Sequence, residues 1–151
     1  MKNFEVSFNS PQCGWMSVGF KNSENEFNST TSYTPHTQAL SELLKVLVRL
    51  LKSEDFSQTI QWSRNPEDFE FFFQKKDDQV VFAIYEYPTD DRLDREEKQV
   101  FAHDGEILEF RKAFYQTFSQ LYEDRNTDEF EQNWHQPFPF AEFEELTKSL
   151  K

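Results

Sequence analysis

Apolar and polar residues alternate in several short segments of the chain, which is the pattern of half-buried β-strands. The segment Phe4–Phe8 is the first example, and polar turns such as 21–25 and 75–78 separate the later ones. In the segment 79–87 apolar residues occupy both alternating sets of positions, which predicts a central strand covered on both faces. Strands are predicted over residues 4–8, 15–20, 26–32, 57–63, 69–74 and 79–87, with a further short strand over 99–103.

Leucines at helical spacing follow the third predicted strand and indicate a deeply buried helix over about residues 37–52. Thr34 with Pro35 is typical of a helix start, and Thr37 is an alternative cap. Two C-terminal helices are predicted. One covers residues 106–123, and the other follows the Pro137–Pro139 segment. The apolar face of the long helix contains Leu40, Leu43, Leu44, Leu47, Leu50 and Leu51, and that of the last helix contains Phe140, Phe143, Leu146 and Leu150.

Runs of strands with helices between and after them predict an α+β fold. We expect a mostly antiparallel sheet of about six or seven strands, with the long helix lying across it. A turn over 65–68 and a charged loop over 89–98 join these elements, and the segment 124–134 is polar and acidic. No repeat or linker divides the chain, so residues 1–151 are expected to form a single domain.

The composition predicts an aromatic core and indicates the cellular compartment of the protein. The chain has 18 Phe, 5 Tyr and 3 Trp, which supply large apolar surfaces although only 36% of residues are hydrophobic. Cys13 is the one cysteine, so no intramolecular disulfide forms, as suits a reducing compartment. No segment of the sequence is typical of a signal peptide or a membrane span. We expect a cytoplasmic protein that does not bind membranes.

The net charge of −12 is concentrated in the second part of the chain. Residues 61–151 hold 22 acidic and 11 basic side chains, whereas residues 1–60 hold 6 and 5. Such a surface repels nucleic-acid phosphates and attracts a basic protein. The simpler interpretation is that negative charge keeps the protein in solution.

The residue types that usually carry catalysis or metal binding lack the required spacing. His36, His103 and His135 lie in separate segments without a short ligand pair, so no metal site is predicted. Cys13 has no basic cluster near it in sequence and is interpreted as a packing residue. With only 3 Gly, no phosphate-binding loop is expected. We therefore predict no catalytic residues and no cofactor.

Aromatic and acidic residues are interleaved between residues 122 and 145, where eight carboxylates accompany one basic residue, Arg125. Carboxylates attract a basic partner over a distance and aromatic rings anchor it. The competing interpretation is that the rings pack inward. In particular, helical periodicity places Phe140 and Phe143 on the core side. The predicted partner-binding residues are Glu123, Asp124, Asp128, Glu129, Glu131, Phe130 and Trp134, and a second candidate is a groove lined by Trp15, Tyr33 and Trp62.

Several of these residues also carry a family resemblance. Cys13-Gly14-Trp15, Ser32-Tyr33, Trp62, Pro66-Glu67 and the alternating Phe69, Phe71 and Phe73 together resemble an uncharacterised family of small bacterial α+β domains over about residues 13–87. This resemblance implies a fold and no catalytic residue. In size, acidity and expected architecture, the whole chain is similar to immunity proteins of bacterial toxin systems.

Three functions remain open at this point. The first hypothesis is a non-enzymatic acidic protein-binding module, in the specific form of an immunity or antitoxin-type inhibitor of a basic partner. The alternative is a small-ligand-binding protein or enzyme with a pocket between sheet and helices, which would use carboxylates or His103. A third is a subunit whose apolar face is completed by self-association, since the sequence leaves the oligomeric state undetermined.

Overall fold

The computed structural model describes residues 3–52, 54–64, 67–88 and 97–150. Within these ranges, strands and helices occur in the order predicted, and the α+β class with an antiparallel sheet is confirmed. The strands are β1 (Glu5–Phe8), β2 (Trp15–Lys21), β3 (Glu26–Ser32), β4 (Phe56–Ser63), β5 (Asp68–Lys76), β6 (Gln79–Tyr87) and β7 (Lys98–Glu106), and the helices are α1 (Ala39–Arg49), α2 (Ile107–Asp124), α3 (Phe130–Trp134) and α4 (Phe140–Ser149).

The seven described strands form one antiparallel sheet in which each strand pairs with its neighbours in sequence. Tight turns make this order accessible. The β5–β6 connection, for example, consists of Asp77 and Asp78, with Asp77 in the left-handed region at φ 56°. Asp tolerates this conformation because its side chain forms local hydrogen bonds.

The sheet is sharply folded between β3 and β4. These strands pair only at Ser32 and Ser63, whereas β4 pairs with β5 along its whole length. Beyond this corner the β2–β3 turn reaches the last strand, where Asn22 Nδ2 donates a hydrogen bond of 3.0 Å to the Ala102 carbonyl. The two parts of the sheet therefore face each other across the core.

Phenylalanine rings from both parts of the sheet meet in that core. The Phe20 ring lies 5.2 Å from Phe71 and 5.5 Å from Phe82, measured between centroids. Helix α2 covers the remaining side and places Phe114 6.1 Å from Phe20. Tilted and edge-on ring pairs at these separations are favourable. The predicted aromatic core is confirmed for the described residues.

Helix α1 is buried as predicted, because its leucines pack between β4 and α4. It is shorter than expected, however, and its predicted start is wrong. Pro35 follows a cis peptide bond and lies in a turn before the helix, and Gln38 is the N-cap residue without a side-chain capping bond. Neither Thr34 nor Thr37 caps the helix.

Two further expectations are corrected. The outer face of β6 is covered along only part of its length, because Ala83 and Tyr87 are buried there whereas Val81 is 44% exposed. Strand β7 extends to Glu106, because residues 104–106 continue the ladder with β6. The segment 124–134 contains the short helix α3. The predicted turn at 65–66 and most of the predicted loop, 89–96, lie outside the described residues. No helix in the described part of the chain is long and apolar enough to cross a membrane.

Candidate functional site

The predicted partner-binding carboxylates lie at the end of α2, in the short turn that follows it and at the start of α3. Backbone hydrogen bonds hold this turn, with the Asp128 N–H donating to the Asp124 carbonyl and the Phe130 N–H donating to the Arg125 carbonyl, each at 2.8 Å. The side chain of Asp124 is half-buried and the other four are exposed. We call the set Glu123, Asp124, Asp128, Glu129 and Glu131 the acidic face.

Within the described part of the chain, the acidic face accepts side-chain hydrogen bonds from neutral groups only. Ser10 Oγ donates to Asp128 Oδ2 at 2.7 Å, and Gln120 Nε2 donates to Asp124 Oδ2 at 2.8 Å. No carboxylate between residues 123 and 145 forms an ion pair with any residue that the structure describes. The negative charge of this surface is therefore not neutralised within the described chain.

Arg125 is the only basic residue in that stretch, and aromatic rings hold its side chain. Its guanidinium carbon lies 3.9 Å from the centroid of the Tyr122 ring and 5.4 Å from that of Phe140. Cations are attracted to the faces of aromatic rings at such distances. The residue lies beside the acidic face without pairing to its carboxylates.

The rings proposed as anchors within the acidic face are buried, so this part of the prediction is wrong. Phe130 is 1% exposed and lies 5.4 Å from Phe138, and Trp134 is buried against Tyr33 at 6.3 Å. The two residues are four positions apart, so one face of α3 directs both inward. That spacing is a signal in the sequence that identifies both residues as core residues.

Phe140 provides an exposed ring that the sequence placed on the core side. As the first residue of α4 it lies beyond the buried stripe and is 46% exposed, while Phe143 is buried. Its ring lies 6.0 Å from Tyr122 and 5.4 Å from Phe138. A small cavity of about 120 Å³ between Phe140, Phe138 and Glu131 connects this ring to the acidic face.

The predicted groove of Trp15, Tyr33 and Trp62 does not form, because Trp62 is part of the buried core. Trp15 is exposed at the start of β2, and Tyr33 is half-buried with its ring 4.8 Å from that of His135. Trp62 instead lies 5.1 Å from the Phe71 ring. A tryptophan that alternates with an inward-facing Ile60 belongs to the core face of its strand.

The histidines lie apart, as their spacing suggested. His36 Nε2 is 3.4 Å from Asp68 Oδ2, whereas His103 Nδ1 lies 3.0 Å from Asn22 Nδ2 and the His103 ring stacks on Phe4 at 4.3 Å. Among the described residues, no three His, Cys, Asp or Glu side chains are grouped closely enough to hold a metal ion. Cys13 is exposed in the turn before β2, so its interpretation as a packing residue is wrong.

A cavity of about 520 Å³ lies where the end of α1, the β5–β6 turn and the start of α2 meet. Two buried basic residues, Lys75 and Arg111, contribute to its lining. Burial lowers the pKa of the Arg111 guanidinium from its ordinary value. The alternative hypothesis of a pocket between sheet and helices did not name these lining residues, because they come from three distant segments.

Comparisons with protein-family models, with curated proteins and with solved structures found no match to this chain. Functional inference therefore depends on the surface itself. The arrangement on α2 and α3 offers uncompensated negative charge beside an exposed ring, which favours binding of a positively charged macromolecule.

Proposed function

We propose that this protein is a non-enzymatic protein-binding module that docks a basic partner protein on the acidic face. The specific form we favour is an immunity or antitoxin-type inhibitor, which masks a basic effector by binding it. The observation that carries the proposal is the absence of ion pairs at the carboxylates of residues 123–145 within the described chain.

Fixed, unpaired surface charge is suited to recognition. Like charges repel one another and do not stabilise the fold. Together, however, they create a negative potential that accelerates encounter with a positively charged protein. Because surface potentials are screened over about 10 Å at 0.1 M salt, the encounter rate is expected to fall steeply with ionic strength.

Phe140 supplies the apolar contact that charge alone lacks. Buried aromatic residues at the centre of an interface usually account for most of the binding energy, and they act mainly on the dissociation rate. We therefore assign encounter to the carboxylates of the acidic face and residence time to Phe140.

Retention of a basic protein from cells of the source organism, at stepped salt concentrations, tests the proposal. The test variant replaces exposed carboxylates of the acidic face: Glu123→Gln, Asp128→Asn, Glu129→Gln and Glu131→Gln. The matched control removes the same charge elsewhere, at the exposed residues Glu5, Glu26, Glu42 and Glu54, each changed to Gln.

We expect the wild-type protein and the control to retain the same basic protein at low salt and to release it as salt rises. The acidic-face variant should lose it, and Phe140→Ala should shorten its residence time. Failure of the wild-type protein to retain any basic protein at low ionic strength would contradict the proposal. So would equal loss of binding in the test and control variants.

The inhibitor form makes a further demand on the retained protein. If that protein is toxic when produced alone, production together with the wild-type chain should restore growth, and the acidic-face variant should not restore it. A retained basic protein without any toxicity would leave the binding function in place and exclude the inhibitor form.

A further inference from the structure

Two buried cations line the cavity between α1, the β5–β6 turn and α2, which is separate from the acidic face. Lys75 is 5% exposed and Arg111 is 1% exposed, and both line the cavity. We propose that this cavity binds a small organic monoanion, with its carboxylate held by Lys75 and Arg111 and its apolar part against the leucines at the rim.

Arg111 is a buried cation that forms no ion pair with a residue the structure describes. Its Nε donates to the Leu47 carbonyl at 2.7 Å, and its Nη2 donates to Ser149 Oγ. Both acceptors are neutral, and no carboxylate of the described residues pairs with it. These two bonds tie α1 and α4 to α2, but they leave the positive charge uncompensated. Burial of an unpaired charge is unfavourable, and a bound carboxylate would offset that cost.

Lys75 is only partly satisfied. Its Nζ lies 3.5 Å from Asp55 Oδ1, which is a long ion pair, and that oxygen also accepts the Asp77 backbone N–H at 2.9 Å. The Asp55 side chain is mostly exposed and therefore well solvated. An ammonium group has three protons to donate, so donors remain for a ligand in the cavity.

The rim of the cavity determines which anions fit. Leu51 and Leu108 are exposed there and offer apolar surface. Exposed Lys52 adds a third positive charge to the lining, and the carboxylates of Asp77, Asp78 and Glu106 offset these charges and repel an anion with more than one negative charge. The end of α1 and the start of α2 border the same space, and their opposite dipoles largely cancel. A ligand with one negative charge and an aliphatic body matches this lining. A volume of about 520 Å³ lies within the ordinary range for small-ligand sites.

This inference does not depend on the proposed function. The acidic face and the cavity share no residue, and the two are tested with different ligands. Failure of one proposal leaves the other intact.

Amide-detected NMR titration of the intact chain with sodium hexanoate is the direct test. Hexanamide has a nearly identical shape without the charge, and inorganic phosphate at pH 8, where it is mostly the dianion, adds a second charge. We expect hexanoate to shift the resonances of residues 50–52, 75–78 and 106–111 in a saturable way, and the other two compounds to leave them unchanged. Hexanamide binding as tightly as hexanoate, or hexanoate shifts without saturation, would overturn the proposal.

Lys75→Met keeps the length of the side chain and removes its charge. It should weaken hexanoate binding about tenfold or more, as expected for a lost charge-assisted hydrogen bond. Lys112→Met is the matched control, because Lys112 is exposed on α2 and does not line the cavity. Unchanged affinity in a folded Lys75→Met variant would contradict the assignment.

Two sources could supply such a carboxylate, and a peptide distinguishes them. N-acetyl-Ala-Ala-Leu with a free C-terminus mimics a protein chain end, and its C-terminal amide is the control. Binding of the free acid but not the amide assigns the cavity to chain termini. Binding of hexanoate alone assigns it to small carboxylic acids. Absence of binding by both acids refutes the proposal.

Discussion

At the scale of single residues, Gly14 shows how a turn is determined by one backbone position. Its φ is +81°, its N–H donates to the Asn133 carbonyl at 2.6 Å, and its carbonyl accepts the Tyr33 N–H at 3.1 Å. A Cβ here would lie 3.0 Å from the Tyr33 ring and 3.1 Å from the His135 ring. The sequence motif around Gly14 therefore joins the start of β2 to the end of β3 and to α3.

Gly14→Ala is expected to destabilise the protein by about 2 kcal/mol, because left-handed backbone alone costs an L-residue about 1–2 kcal/mol and the two rings must also move. Urea unfolding measures this change. Gly105→Ala is the control, since a Cβ at Gly105 would meet only His103 Nε2, at 3.4 Å, and no positive φ is required there. Equal destabilisation by both substitutions would show that the Gly14 conformation is not the cause.

At the scale of elements, the alternation of side chains along β6 determines which residues stabilise the core. Phe82 is fully buried among Phe71, Phe73 and Phe101, whereas the next residue toward the N-terminus, Val81, faces outward. Phe82→Ala should reduce the free energy of unfolding by about 3–5 kcal/mol, the usual cost of removing a buried ring. Val81→Ala should change it by at most about 0.5 kcal/mol.

Chemical denaturation of both variants checks this pair. A large loss of stability in Val81→Ala would indicate that Val81 is covered in solution. That outcome would extend the burial of the outer face, already present at Ala83 and Tyr87, to the start of β6. It would point to self-association, which gel filtration across a range of concentrations would detect.

The elements themselves followed from local periodicity. Alternation located the strands and leucine spacing located α1, because both patterns record which side of an element faces the core. Local periodicity does not predict contacts between segments that are distant in sequence. The sheet corner at Ser32 and Ser63, the exposure of Phe140 and the cavity at Lys75 each depend on how separate elements meet. Consequently the sequence predicts the carboxylates of the candidate site, but not the exposed ring of Phe140 or the cavity at Lys75.

At the scale of the whole molecule, the aromatic residues that stabilise the fold and the carboxylates that carry the charge occupy different regions. The folded sheet and α2 enclose the aromatic core, while the net charge of −12 remains on the surface. On the acidic face, carboxylates from the end of α2, the following turn and the start of α3 form no ion pairs with described residues. An arrangement of this kind lowers stability through repulsion and is consistent with selection for binding.

Neutralising the acidic face should therefore stabilise the isolated protein. The fourfold variant Glu123→Gln, Asp128→Asn, Glu129→Gln and Glu131→Gln is expected to raise the free energy of unfolding by up to about 1 kcal/mol at low salt, since neighbouring like charges cost about 0.2–0.5 kcal/mol per pair. The gain should disappear near 1 M salt, where the screening length is about 3 Å. Thermal unfolding at both salt concentrations measures the difference, and the variant of Glu5, Glu26, Glu42 and Glu54 is the control with scattered charges. A loss of stability in the fourfold variant at low salt would mean that these carboxylates support the fold, and it would remove the main reason for assigning them to a partner.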